Sequence, residues 1–263
     1  MKPFCVDAGE GPPLVLLHGW TMDSRIFEDQ INRLSPSFRC LVPDLPGHGR
    51  SALIEPTLDS AAMALQQVLD RVPDQKATLV GWSMGAMVAW RYIELFGQSR
   101  LAALATVDMS PKLANGPRWR YGLKRSTRRV GLQPQPFEWS DRAEAIARGM
   151  FCSGGDATTS LKAAAKKMVL SQDQRAMRVM WASMMKADER SVIGKITLPW
   201  LICYGTHSRV YPSALRTWLL GRAPQARALG FDQSGHSPHL EEPLVFAQAI
   251  TRFAEESALQ SPD

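Results

Sequence analysis

Along the chain, short continuous apolar runs alternate with stretches in which apolar residues recur every three or four positions. Leu14 to Leu17, Arg39 to Pro43, Ala77 to Val80 and Leu101 to Val107 have the length and continuity of buried strands. Between them, Ser24 to Leu34, Leu58 to Val72 and Ala86 to Phe96 carry helical spacing. The first of these stops near Pro36, the second has Thr57 or Asp59 as a cap, and Gly97 closes the third. Strand and helix in this alternation predict a mostly parallel sheet with helices on both faces.

After Val107 the pattern changes. From Lys112 to about Ile196 there is no convincing strand, but helical spacing at Asp141 to Phe151, Thr158 to Ser171 and Gln174 to Lys186. Sheet character returns at Leu198 to Tyr204 and Gln225 to Phe231, with helices from Pro212 to Leu220 and Pro243 to Ser257. The expected organisation is an α/β core from residues 1–111 and 197–263, with residues 112–196 forming a helical cap inserted before the penultimate strand. No internal repeat or low-complexity run interrupts it.

With 263 residues, 45% of them hydrophobic, the chain is long enough for one large core. Its longest apolar runs fall far short of the about 20 residues that a membrane span needs, and Met1 to Asp7 has no apolar signal core. A cytoplasmic location is the expectation. Cys5, Cys40, Cys152 and Cys203 are scattered singly, which predicts free thiols and neither disulfides nor a metal site.

Charge narrows the picture further. Lys112, Arg118, Arg120, Lys124, Arg125, Arg128 and Arg129 give one acid-free segment +7 against a net charge of +6, so the remainder is near neutral. A nucleic-acid binder spreads such charge along a groove with stacking aromatics and a recognition motif, and neither is present. A segment like this beside a cleft would draw in an acidic substrate or carrier, and as a solvated helix face it would do nothing more.

The chemistry centres on Gly81-Trp82-Ser83-Met84-Gly85, set between a predicted strand and a predicted helix. A Gly-x-Ser-x-Gly turn in that setting lifts a serine hydroxyl out of the sheet edge as a nucleophile. A hydroxyl is weak until an imidazole takes its proton, and the imidazole needs a carboxylate to fix its tautomer. His236, in Ser234-Gly235-His236 after the last strand, is the base; His239 is the competitor. The backbone N–H groups of Trp20, in His18-Gly19-Trp20, and of Met84 are the expected oxyanion donors. His18 and His48 read as residues that shape their loops, and Asp44 as the organiser of the turn after its strand.

These motifs, together with Asp44-Leu45-Pro46-Gly47-His48-Gly49-Arg50-Ser51, resemble the α/β-hydrolase superfamily in order and over nearly the whole chain. A Trp in the oxyanion loop paired with Gly-Trp-Ser-Met-Gly is also similar to esterases acting on methyl esters of carrier-bound acyl chains. The resemblance implies an α/β-hydrolase fold, a serine esterase cleaving acyl esters through an acyl-enzyme, and no metal, nucleotide or organic cofactor. It also exposes a departure. The family's acid follows the penultimate core strand in a Gly-x-x-Asp-x-x-x-Pro frame, and in Gly205 to Pro212 the frame holds Ser208 instead. Some members carry the acid after the strand that follows the nucleophile helix, which points to Asp108, with Asp232 as runner-up. The rival reading is a non-catalytic protein that holds a small ligand under the cap, supported by the serine at 208. Met177, Met180 and Met184, with Trp181, either line an apolar pocket or pack the cap onto the core.

Overall fold

A computed structural model describes residues 1–124, 138–152 and 156–260. Arg125, Arg128 and Arg129 of the basic segment therefore lie outside the described residues. The strands are β1 (Cys5–Ala8), β2 (Pro13–Leu17), β3 (Arg39–Pro43), β4 (Ala77–Trp82), β5 (Leu101–Val107), β6 (Trp200–Gly205) and β7 (Ala226–Phe231). They form one sheet in the order β1-β3-β2-β4-β5-β6-β7. Only β1 runs antiparallel, pairing Cys5 with Pro43 at the edge, and every other described pair is parallel.

Side-chain alternation sends successive strand residues to opposite faces. In β2, Val15 and Leu17 enter one hydrophobic cluster while Leu14 and Leu16 enter the other. The first cluster is covered by α2 (Leu58–Leu69) and α3 (Met84–Phe96). Thr57 starts α2 by accepting the Ser60 N–H, and Ala61, Leu65, Val68 and Leu69 follow as its buried stripe. On the other face, α1 (Glu28–Leu34) lies beside the C-terminal helix Pro243–Gln260, whose Phe246, Ile250 and Phe253 are buried.

Between β5 and β6 run α4 (Trp139–Gly149), α5 (Asp156–Leu170), α6 (Gln174–Lys186) and the short α7 (Arg190–Ile193). No described residue of 112–196 lies in a named strand. Ala143 and Ala147 of α4, with Ala165 and Val169 of α5, join the cluster on the α1 face. Met180 and Met184 of α6, with Val192 and Ile193 of α7, join the cluster on the α2–α3 face. The inserted helices thus straddle the sheet at its carboxyl edge and share their apolar contacts with both faces. Met177, Met180 and Met184 are all buried, so packing accounts for the stripe, and Met184 also reaches the cleft below.

Strand order reverses next to β2: the chain leaves β2 for β3 on one side and returns to β4 on the other. In an open parallel sheet the crevice above such a reversal is where ligands bind. Here it lies between the ends of β2 and β4, where Leu17 pairs with Gly81. All four cysteines are free, with Cys40 and Cys203 buried and Cys5 and Cys152 half-buried. No described helix is long and apolar enough to cross a membrane.

Candidate active site

The turn from β4 into α3 is tight enough to dictate its own sequence. A Cβ on Gly81 would stand 2.5 Å from the Gly85 carbonyl oxygen, and one on Gly85 would overlap the Leu17 carbonyl. Between them Ser83 takes φ 52 and ψ −118, a region non-glycine residues occupy only when the surroundings hold them there. Its N–H donates to Val107 O at 2.9 Å and its carbonyl accepts the Ala86 N–H at 2.9 Å.

His236 is brought over Ser83 by the loop after β7. Its Nδ1 lies 2.6 Å from Asp108 Oδ2 and its Nε2 lies 3.0 Å from Ser83 Oγ. Because a carboxylate only accepts, the Nδ1 proton goes to Asp108 and the Nε2 lone pair is left facing the hydroxyl. The Trp82 indole N–H donates to His236 O at 2.8 Å, fixing the loop to the nucleophile turn. Asp108 terminates β5 at φ 45, with its N–H donating to Cys203 O at 2.9 Å. Asp232 is exposed, and Asp108 is the carboxylate on the ring.

Ser208 contributes what the sequence does not reveal. Its hydroxyl donates to Asp108 Oδ2 at 2.5 Å, so the frame that lacks an acid still touches one. Tyr211, from the same loop, donates to Met109 Sδ at 2.9 Å. Burial first, and then the Asp108 charge, hold its hydroxyl well above the ordinary range, so it stays protonated.

The loop after β2 is set by histidines. Leu45 N–H donates to His18 Nε2 at 2.9 Å, which puts the His18 proton on Nδ1, where it donates to Gly19 O at 2.9 Å. His48 accepts the Thr21 N–H through Nε2 at 3.4 Å and donates to Pro46 O through Nδ1 at 2.9 Å. Burial lowers both rings, His48 to about 3, so both are neutral supports of the loop. Asp44 accepts Ser24 N–H and Arg50 N–H, each at 2.8 Å, as expected of a turn organiser. Trp20 is tied to α6 by its indole N–H on Met177 O at 2.9 Å and by its ring 4.5 Å from that of Trp181. Met84 is the first residue of α3, so its N–H is among those a helix leaves without an internal partner.

Above this lies a cavity of about 550 Å³ with Ser83 and His236 in its wall. Trp20, Trp82, Trp181, Met184, Ile146 and Phe151 make it largely apolar. Arg148, Lys162 and Arg209 also line it, and no Asp or Glu does among the described residues. The sequence gives no sign of the first two as site residues, because a cation on a helix surface reads as solvated. Of the basic segment, Lys112 is held by Asp188 at 2.6 Å, Leu113 and Leu123 face the cavity, and Arg118, Arg120 and Lys124 are exposed.

The alpha/beta hydrolase family profile matches residues 14–249. A pimeloyl-(acyl-carrier protein) methyl ester esterase from Vibrio vulnificus is 33% identical over 258 residues, 94% of this chain and 95% of that protein. One from Yersinia pestis is 32% identical over 256 residues, with 95% and 96% covered. Among solved structures, an esterase from Exiguobacterium antarcticum superposes with a TM-score of 0.85 at 21% identity over 96% of this chain and 95% of that one. A bromoperoxidase from Bacillus anthracis does so with a TM-score of 0.85 at 22% identity over 95% and 94%, a likeness of fold. With its sheet, its nucleophile turn and these matches in agreement, the chain belongs to the alpha/beta hydrolase family.

Proposed function

We propose that the protein is a serine esterase in which Ser83, His236 and Asp108 act as the catalytic triad. The observation that carries this reading is the continuous relay from Ser83 Oγ through His236 to Asp108, at 3.0 and 2.6 Å, in the wall of an apolar cavity. Ser83 Oγ attacks the ester carbonyl as His236 Nε2 takes its proton, and Asp108 stabilises the imidazolium that forms. The oxyanion of the tetrahedral intermediate accepts from the N–H groups of Trp20 and Met84, a pair whose removal costs about 2.7–4 kcal/mol per donor. His236 returns its proton to the departing alcohol, leaving an acyl group on Ser83. Water then enters by the same route, with His236 again the base, and frees the acid.

The substrate we assign is an acyl ester whose chain fills the apolar cavity and whose far end carries negative charge. About 300–1,000 Å³ is the size range of small-molecule sites, and this cavity falls within it. Arg148 and Lys162 at its wall favour an anion there. The relatives named above suit this: they are esterases of the methyl ester of a carrier-bound pimeloyl chain. In this reading residues 112–196 act as a cap that excludes water and selects the acyl group. The rival, a non-catalytic ligand holder, drew its support from Ser208 in the acid's expected place. The contact of Asp108 with His236 weighs against it.

Hydrolysis of short p-nitrophenyl esters tests the reading. Ser83→Ala is expected to abolish turnover while thermal melting stays near wild type. Substantial residual hydrolysis by the folded variant would remove the mechanism.

A further inference from the structure

Asp108 is gripped from two sides. His236 Nδ1 and Ser208 Oγ both reach Oδ2, at 2.6 and 2.5 Å, from loops that follow different strands. The direction of the second bond is fixed locally. Val210 N–H donates to Ser208 Oγ at 3.3 Å, which occupies a lone pair of the hydroxyl and leaves its proton for the carboxylate. Ser208 N–H is itself tied to Gly205 O at 3.1 Å, so the turn after β6 presents the hydroxyl as a rigid donor.

From that loop it is the Ser208 hydroxyl that meets the carboxylate. Tyr211, the other hydroxyl near the acid, spends its proton on Met109 Sδ. The acid side chain is only 9% exposed, so water is a poor substitute. A buried carboxylate with one donor swings about its terminal torsion, which for Asp is broad and soft. Two donors converging on one oxygen leave it a single orientation, and a bond to a charged acceptor is among the stronger kinds.

We propose that Ser208 is a positioning residue for the triad: its hydroxyl holds the Asp108 carboxylate in line with His236 Nδ1, although it touches neither substrate nor nucleophile. The proposal rests on Asp108 being the acid. It turns the unusual serine from a sign of a lost acid into the partner of a displaced one.

Steady-state hydrolysis of a p-nitrophenyl ester by Ser208→Ala, Ser208→Thr, Asp108→Asn and the double variant Ser208→Ala/Asp108→Asn tests it, with melting temperatures measured in parallel. Ser208→Ala is expected to lower kcat about tenfold with KM nearly unchanged, the lower end of what a charge-assisted bond contributes. Ser208→Thr keeps the hydroxyl and retains most of kcat. Because Ser208 acts only through Asp108, the double variant is no slower than Asp108→Asn alone. A structural role would instead slow both backgrounds alike and follow the loss of melting temperature. That additive result, or wild-type kcat in Ser208→Ala, overturns the proposal. Wild-type kcat in Asp108→Asn overturns the acid assignment and the proposal with it, whereas loss in Asp108→Asn with none in Ser208→Ala removes the positioning role alone.

Discussion

His239 stands three residues from His236 and plays no part in the relay. Its ring is packed 4.5 Å from Trp82, 5.0 Å from Phe27 and 5.9 Å from Phe246, and among the described residues neither ring nitrogen has a hydrogen-bond partner. Burial, and then the neighbouring His236, lower it from 6.5 to about 3. The consequence for stability has a definite sign. Below pH 6.5 the unfolded chain takes up a proton that the folded one refuses, so stability present above pH 6.5 drains away as pH falls toward 3. At pH 4.5 the loss from this one ring is about 2–3 kcal/mol, at about 1.36 kcal/mol per pH unit. His239→Leu is therefore expected to melt higher than wild type at pH 4.5 and to show a flatter fall in melting temperature between pH 7.5 and 4.5. Equal slopes in the two proteins contradict this. At this scale the sequence is most legible where chemistry demands a residue type: Ser83, His236 and Asp108 all meet in space. Ser208 is illegible because its meaning depends on Asp108, which is 100 positions away and brought close only by the β5–β6 pairing.

Among elements, the short helix Pro238–Glu241 has a larger role than its length suggests. Glu241 accepts Gly235 N–H through Oε2 and Cys152 N–H through Oε1, each at 2.7 Å. It thereby joins the loop that carries His236 to the chain leaving α4. Glu242 accepts Gln233 N–H at 3.0 Å and the Ser234 hydroxyl at 2.5 Å, clamping the same loop from its other end. Two charge-assisted bonds are lost in Glu241→Ala, and the expected cost is about 3 kcal/mol, roughly 6–12 °C in melting temperature for a chain of this size. Glu241→Gln keeps one acceptor and loses about half as much, a ranking that thermal melts check directly. Neither short helices nor β1 leave a readable pattern. One turn shows no periodicity, and Cys5–Ala8 is a four-residue edge strand whose Asp7 is exposed and paired with Arg39 at 2.8 Å. Longer elements with a full buried stripe come through, with ends that slip where local caps decide: the helix expected to reach Val72 ends at Leu69, and Asp70 N–H closes it on Gln66 O.

Over the whole molecule, the sheet reversal beside β2 and the insertion between β5 and β6 meet above one cleft. Arg148, Lys162 and Arg209 line the cavity, while Arg118, Arg120 and Lys124 are exposed on the segment that contributes Leu113 and Leu123 to its wall. An ester carrying a distal carboxylate is expected to lose several-fold in kcat/KM between 50 mM and 500 mM salt, roughly as its attraction is screened below a Debye length of about 10 Å. A neutral ester of equal length is expected to change little, and Arg148→Glu/Lys162→Glu to abolish the difference between the two. Equal salt response for both esters contradicts the anionic-substrate reading. Alternating strand and helix make the sheet foreseeable, but which cations face the cleft depends on how α4 and α5 dock. That docking is settled by small buried residues, Ala143, Ala147 and Ala165, which carry no signal of a site. The central claim, that Ser83 forms a covalent acyl-enzyme through this relay, is tested most directly by peptide mass spectrometry after brief reaction with a fluorophosphonate. One adduct is expected, on the peptide containing Ser83, formed rapidly in wild type, slowly in His236→Ala and not at all in Ser83→Ala; an adduct elsewhere, or equal labelling without His236, would contradict the relay.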